Sequence, residues 1–165
     1  MDQAVASPPA FGAPLVHVGG HPFPHNHQAE MAVLGSMLMD PGYAVEVAVN
    51  RLGFAGSFHK REHQVIFEAI KDQVTESSRA ALDIVTLSDA LSRSGQLEAA
   101  GGHAYVAQVL NAVPTAANIE RYVDIVLQTA ILRRLIGTCI ETANRCFDPE
   151  EEVRALLDQV EAELL

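Results

Sequence analysis

Residues 118–146 read NIERYVDIVLQTAILRRLIGTCIETANRC, and this stretch decides the fold. It contains no proline. Its single glycine, Gly137, costs a helix only about 1 kcal/mol, so the spacing predicts one uninterrupted helix of about 44 Å. A globule built from the preceding residues would be only about 30 Å across, so one end of the helix is expected to project. Apolar residues recur along it in doublets about one turn apart: Val126-Leu127, Ala130-Ile131, Leu135-Ile136 and Cys139-Ile140. Such doublets make a face wider than the stripe needed to pack on one neighbour.

Asp148-Pro149-Glu150-Glu151 then spells a new helix start, with Asp as N-cap, Pro in the first position and carboxylates at the positive end of the helix dipole. The segment that follows carries Val153, Leu156, Leu157, Val160 and Leu164, and is expected to fold back as the second arm of a hairpin. One short helix cannot cover both sides of the long one, which makes a second chain the expected cover. Val126, Leu127, Ala130, Ile131, Leu135 and Leu157 are the candidates for this self-association. Arg133 and Arg134 read either as a solvated face or as a docking point for an anionic partner.

Upstream, residues 1–26 carry Pro8, Pro9, Pro14, Pro22 and Pro24 without helical or strand period and read as a flexible tail. Helical periodicity begins at Gln28, places Met31, Val33, Leu34, Met37 and Leu38 on one apolar face, and stops at Asp40-Pro41-Gly42. A short helix is expected at Tyr43–Asn50, closed by a loop over 53–57. A longer one is expected at Arg61–Gln73, with Val65, Ile66, Phe67, Ala69 and Ile70 facing inward. Asp83 is a good N-cap for Ile84–Arg93, which Gly95 ends. Gly101-Gly102 turns the chain into a last short helix at His103–Asn111. The fold class is therefore all-α. A head subdomain of about five helices (27–113) follows the tail, and a helical hairpin (114–165) follows the head.

The chain has 165 residues, enough for one domain. Hydrophobic residues make up 48% of it, aromatic residues only 5%, and there is no Trp, a palette suited to packed helices. Net charge is −10, from 21 acidic and 11 basic residues. Lys occurs only at Lys60 and Lys71. Such a surface repels a phosphate backbone, so little direct DNA binding is expected and the first partner should be protein. No stretch has the length and apolarity of a membrane span. Cys139 and Cys146 lie about 10 Å apart along a helix axis, too far for a disulfide, and read as reduced core residues of a cytoplasmic protein.

Chemistry-bearing motifs are few. No Gly-Lys pair exists, so a nucleotide-binding loop is absent. His59-Lys60-Arg61-Glu62-His63 fits the His-x-x-Glu-His pattern of inverted zinc peptidases. The third ligand such a site requires is missing, and two cations stand between the histidines. The favoured reading is an exposed helix start, with a metal-dependent hydrolase using His59 and His63 as its rival. His21, His25 and His27 could bind metal loosely, but in the tail no scaffold is expected to fix their geometry. No catalytic, cofactor or metal residue is assigned.

Four segments taken in order resemble the N-terminal domain of the DnaB family of replicative DNA helicases. These are His27 to Pro41 (HQAEMAVLGSMLMDP), Phe58 to Ile70 (FHKREHQVIFEAI), the run DIVTL at Asp83–Leu87 with Gly95-Gln96-Leu97 and GGHAY at Gly101–Tyr105, and VPTAANIE at Val113–Glu120 with ILRRLI at Ile131–Ile136. Ser57 departs from the acidic residue often found before Phe58 in that family. The resemblance covers roughly residues 25–165. It implies a helical head and a hairpin that pairs between subunits to build a ring's collar. It also implies docking of the primase C-terminal domain, and a separate ATP- and Mg-dependent motor absent from this chain. A helicase loader would be a further partner. The chain itself is then no enzyme. The rival in the same helical class is a stand-alone adaptor that binds helicase, primase or loader.

Overall fold

The computed structural model of the protein describes residues 17–18, 20–76, 82–147 and 152–164. The architecture is all-α. Helices run His27–Met39 (α1), Tyr43–Leu52 (α2), Arg61–Glu76 (α3), Ile84–Arg93 (α4), Gly102–Leu110 (α5), Ile119–Phe147 (α6) and Val153–Leu164 (α7), with one 3-10 turn at Ala55–Ser57. The Pro-rich region departs from the expected lack of structure at one place: His17–Val18 pairs antiparallel with His21–Pro22. The expected helix start at Asp148-Pro149-Glu150-Glu151 falls largely outside the described residues, as do residues 1–16 of the tail.

The described residues form two compact units. One is His25–Ala130; the other joins the described residues before His25 to those from Ile131 onward. The division therefore falls inside α6 and not at 114, because the first half of that helix belongs to the head. Ile119, Val123 and Val126 lie four and three residues apart, a single stripe, and all three are fully buried.

In the head, α1 packs on α2, α3 and α5, α3 packs on α4, and α4 packs on α5. This central position explains why α1 is buried on more than one side, from Ala29 through Leu38 with only Met31 partly open. Val33, Leu34 and Met37 of α1 meet a core that includes Phe58, Ile66, Phe67, Ile70, Leu87, Leu91, Val106 and Val109. The Phe58 and Phe67 rings lie 5.0 Å apart, a separation at which tilted aromatic pairs attract. On the outer side, Tyr43 Oη donates to Glu120, and the Arg51 guanidinium pairs with Asp124, linking α2 to α6.

Local start signals hold. Asn26 caps α1 by accepting from the Ala29 N–H at 2.9 Å. Asp83 caps α4 by accepting from the N–H groups of Val85 and Thr86, while the Thr86 hydroxyl accepts from the Asp83 N–H, a complete capping box. Asp83→Ala is expected to lower the thermal midpoint by a few degrees, and Asp83→Asn by much less. The backbone N–H of Thr86, its hydroxyl and the Val85 N–H hold the Asp83 carboxyl below its ordinary value. A depressed folded value contributes stability above the unfolded pKa, about 3.9, and loses it as pH falls through the folded one. The difference between Asp83→Ala and the unaltered chain should accordingly fade in acid, which melting curves across pH would show.

Two sequence expectations fail on burial. Cys139 and Cys146 are free thiols, as expected, but both are exposed and neither lies in the core. Val126 is fully buried and Leu127 packs against the same core, so these two members of the proposed seam are turned into their own chain.

Candidate functional site

The candidate interaction surface lies on the second half of α6 and on α7. Ile131, Leu132 and Leu135 are 55%, 47% and 46% exposed, and Leu157 is 59% exposed. Phe147 and Val153, at the facing ends of the two helices, are more exposed still. Among the described side chains of α7, Leu156 alone of the large apolar residues is buried. Arg145 donates to the side-chain amide oxygen of Gln159 and joins the two helices. Large apolar side chains left at about half exposure, three of them within one turn and a half of helix, form the kind of patch that marks a protein contact.

The residues singled out from sequence separate along α6. Val126 and Leu127 belong to the core, Ala130 is half-buried, and Ile131, Leu135 and Leu157 are open. Leu132, Phe147 and Val153 were not singled out, although the Ile131-Leu132 pair could have been read from the apolar run. Arg134 is exposed, whereas Arg133 donates to the Pro24 carbonyl oxygen at 2.8 Å, so that guanidinium is held by its own chain.

The His59/His63 reading is corrected by the packing of the head. Helix α3 begins at Arg61, so His59 precedes it and the two histidines are not partners one turn apart on a single helix. His63 is not part of an exposed helix start either: its side chain is fully buried. Its Nδ1 lies 2.6 Å from Glu30 Oε2 and its Nε2 lies 2.7 Å from the Tyr105 hydroxyl. With both ring nitrogens engaged, His63 has no lone pair for the metal of a hydrolase.

Glu30 is the centre of this buried polar network. Besides His63, its carboxylate accepts from the backbone N–H of His59 at 2.7 Å and of Lys60 at 3.3 Å. The Lys60 ammonium donates to the Tyr105 hydroxyl at 2.9 Å. An ammonium can only donate and an ionised carboxylate can only accept, so the Tyr105 hydroxyl accepts from Lys60 and Glu30 accepts from the His63 Nδ1–H. Gly101, at the start of α5, makes room for this arrangement. Its φ is +90°, and a Cβ there would stand 2.8 Å from the Tyr105 ring.

A second histidine group lies beside the network. His25, His27 and His59 each bring a ring nitrogen to within 4.8 Å of the others. The rings of His25 and His59 stack at 4.7 Å, and those of His25 and His27 lie 4.4 Å apart. The tail was expected to leave its histidines without a scaffold; the structure gives His25 and His27 one, at the capped start of α1.

A five-helix head closed by half of a long helix, and a helical hairpin with exposed apolar side chains, define an all-α domain in a sequence that contains no Gly-Lys pair. Residues 22–128 match the family described as the DnaB-like helicase N terminal domain, and the chain belongs to that family. It is 37% identical over 142 residues to the replicative DNA helicase DnaB of Geobacillus stearothermophilus, which covers 86% of this chain and 30% of that protein. The replicative DNA helicase DnaC of Bacillus subtilis matches at the same identity and coverage. The chain thus matches about 30% of the length of these relatives.

Among solved structures, the N-terminal domain of the DnaB helicase from Mycobacterium tuberculosis superposes with a TM-score of 0.77 at 32% identity, covering 85% of this chain and 96% of that one. A structure described as a DnaB-like replicative helicase and its interactions with primase gives a TM-score of 0.61 at 21% identity, over 82% of this chain and 31% of that one. The second likeness is one of fold alone.

Proposed function

We propose that this domain is the assembly and docking module of a replicative DNA helicase: it pairs with copies of itself to form the collar of a ring and recruits primase to the replication fork. The carrying observation is the apolar flank of Ile131, Leu132, Leu135 and Leu157, grouped on two helices, whereas the exposed large apolar side chains of the head, Met39, Tyr43, Phe54 and Val85, are spread over separate segments. Family membership supports the helicase context, and the relative described with primase supports the choice of that partner. Unwinding and its ATP and Mg requirements belong to the motor of the whole protein. With a net charge of −10, this domain contributes little to DNA binding. No described helix is long and apolar enough to cross a membrane, which suits a cytoplasmic replication role.

Molar mass measured by light scattering over a concentration series tests the assembly half, and titration with the C-terminal domain of primase tests the docking half. The expected result is a dimer or larger multiple that binds the primase domain. A strict monomer at high concentration that still binds primase or a helicase loader would replace the collar reading with that of an adaptor. A monomer that binds neither would end both readings.

A further inference from the structure

We propose that His25, His27 and His59 form a binding site for one divalent transition-metal ion, zinc being the favoured ion, which ties the start of α1 to the loop that leads into α3. Three imidazoles are a nitrogen-donor set suited to zinc, copper, nickel or cobalt and unsuited to calcium or magnesium. Three protein ligands and an open side are the arrangement in which zinc retains a water. His25 and His27 are exposed and His59 is half-buried, so the site is open on one side.

The geometry is close to what ligation requires. Zinc–nitrogen bonds of about 2.0–2.1 Å place tetrahedral ligands about 3.3 Å apart, against the present limit of 4.8 Å. Closing that gap takes about an ångström of movement, with each ring turned about χ2 so that its lone pair leaves the stack. That torsion is broad for histidine.

The scaffold around the site is built. His27 is the first residue of α1, and the Asn26 side chain between the two tail histidines is held by the Ala29 N–H. His59 is held by its backbone N–H on Glu30, one turn into the same helix, at 2.7 Å. Glu30 thus fixes the two segments that supply the ligands, as outer partners do in metal sites.

The neighbouring cations are turned to other partners. The Lys60 ammonium lies 4.2 Å from the Tyr105 ring centre and bonds its hydroxyl, and Arg61 donates to Gln64 at 3.2 Å.

The test uses the full chain without an affinity tag, stripped of metal and titrated with Zn²⁺ in competition with a chromophoric chelator. Co²⁺ serves as a spectroscopic probe of coordination. One equivalent per chain is expected, with a rise in thermal midpoint on zinc addition. Affinity should fall roughly 100-fold or more in His25→Ala, His27→Ala and His59→Ala, and stay unchanged in His103→Ala. His59→Gln, which preserves bulk, should lose the metal while keeping the helical circular dichroism spectrum. Undiminished binding by His59→Gln would overturn the proposal by putting the ion on the tail alone. Uptake no greater than that of the chain lacking all three imidazoles would overturn it outright.

Discussion

Glu30→Ala should cost the head about 3–5 kcal/mol, because a buried carboxylate is removed from three donors and each donor left unsatisfied costs about 1–3 kcal/mol. The Glu30 carboxylate and the His63 imidazole are both fully buried. Truncating the carboxylate leaves the His63 Nδ1–H and the backbone N–H groups of His59 and Lys60 without their acceptor, and such groups cost their full desolvation. Total stability is only about 5–15 kcal/mol, so a thermal midpoint lower by on the order of 10 °C is expected. Glu30→Gln keeps the volume and one acceptor oxygen and should lose about half as much. A midpoint within about 2 °C of the unaltered chain for Glu30→Ala would refute this account of the network.

The same carboxylate predicts an acid limb. Burial pushes the Glu30 carboxyl up, but the His63 imidazole and the His59 and Lys60 N–H groups together outweigh it and hold the carboxyl below its ordinary 4.5. A depressed folded value means that the contribution is present above the unfolded pKa and is lost as pH falls through the folded one. Urea unfolding at pH 7 and at about pH 3 should show the gap between Glu30→Gln and the unaltered chain narrowing in acid.

Ile131→Asp should abolish self-association while leaving the fold of the chain intact. Ile131 is more than half exposed within one chain, so an aspartate there meets water and costs that chain little. At a contact between copies the same carboxylate would be stripped of water with no cation assigned to it, a cost of several kcal/mol. Each 1.4 kcal/mol is a tenfold weaker association, so the mass should fall to that of a single chain at concentrations where the unaltered protein is paired. Leu135→Asp should act in the same direction, and Arg134→Glu, a change between exposed charged residues, should act far less. An unchanged mass for both aspartate variants would remove α6 from the interface. Unfolding of Ile131→Asp, seen by circular dichroism, would show that the residue belongs to the chain's own core.

Much of this architecture is legible in the residues alone, for local reasons. Helix starts and stops depend on capping groups and on Pro and Gly within a few positions, which is why Asp83, Asp40-Pro41-Gly42 and the proline-free run after Asn118 placed α4, the end of α1 and α6 to within a residue or two. The chain's apolar, aromatic-poor palette indicated helices packed on helices.

What sequence could not decide is which face of each helix meets what, because periodicity repeats along a helix while its partners come from far along the chain. Val126 and Ile131 look alike as members of consecutive doublets, yet one is in the core of the head and the other is open. His63 looked like half of a metal motif with His59, but its partners are 33 and 42 residues away, at Glu30 and Tyr105. His59 in turn lies beside His25 and His27, which composition had assigned to a loose tail. The sequence by itself determined the all-α class, the positions of the helices and the acidic surface, because these follow from backbone geometry and from the sum of charges. Only the tertiary structure decided the buried Glu30 network, the grouping of three histidines and the open flank on α6 and α7, because each depends on packing between segments distant along the chain.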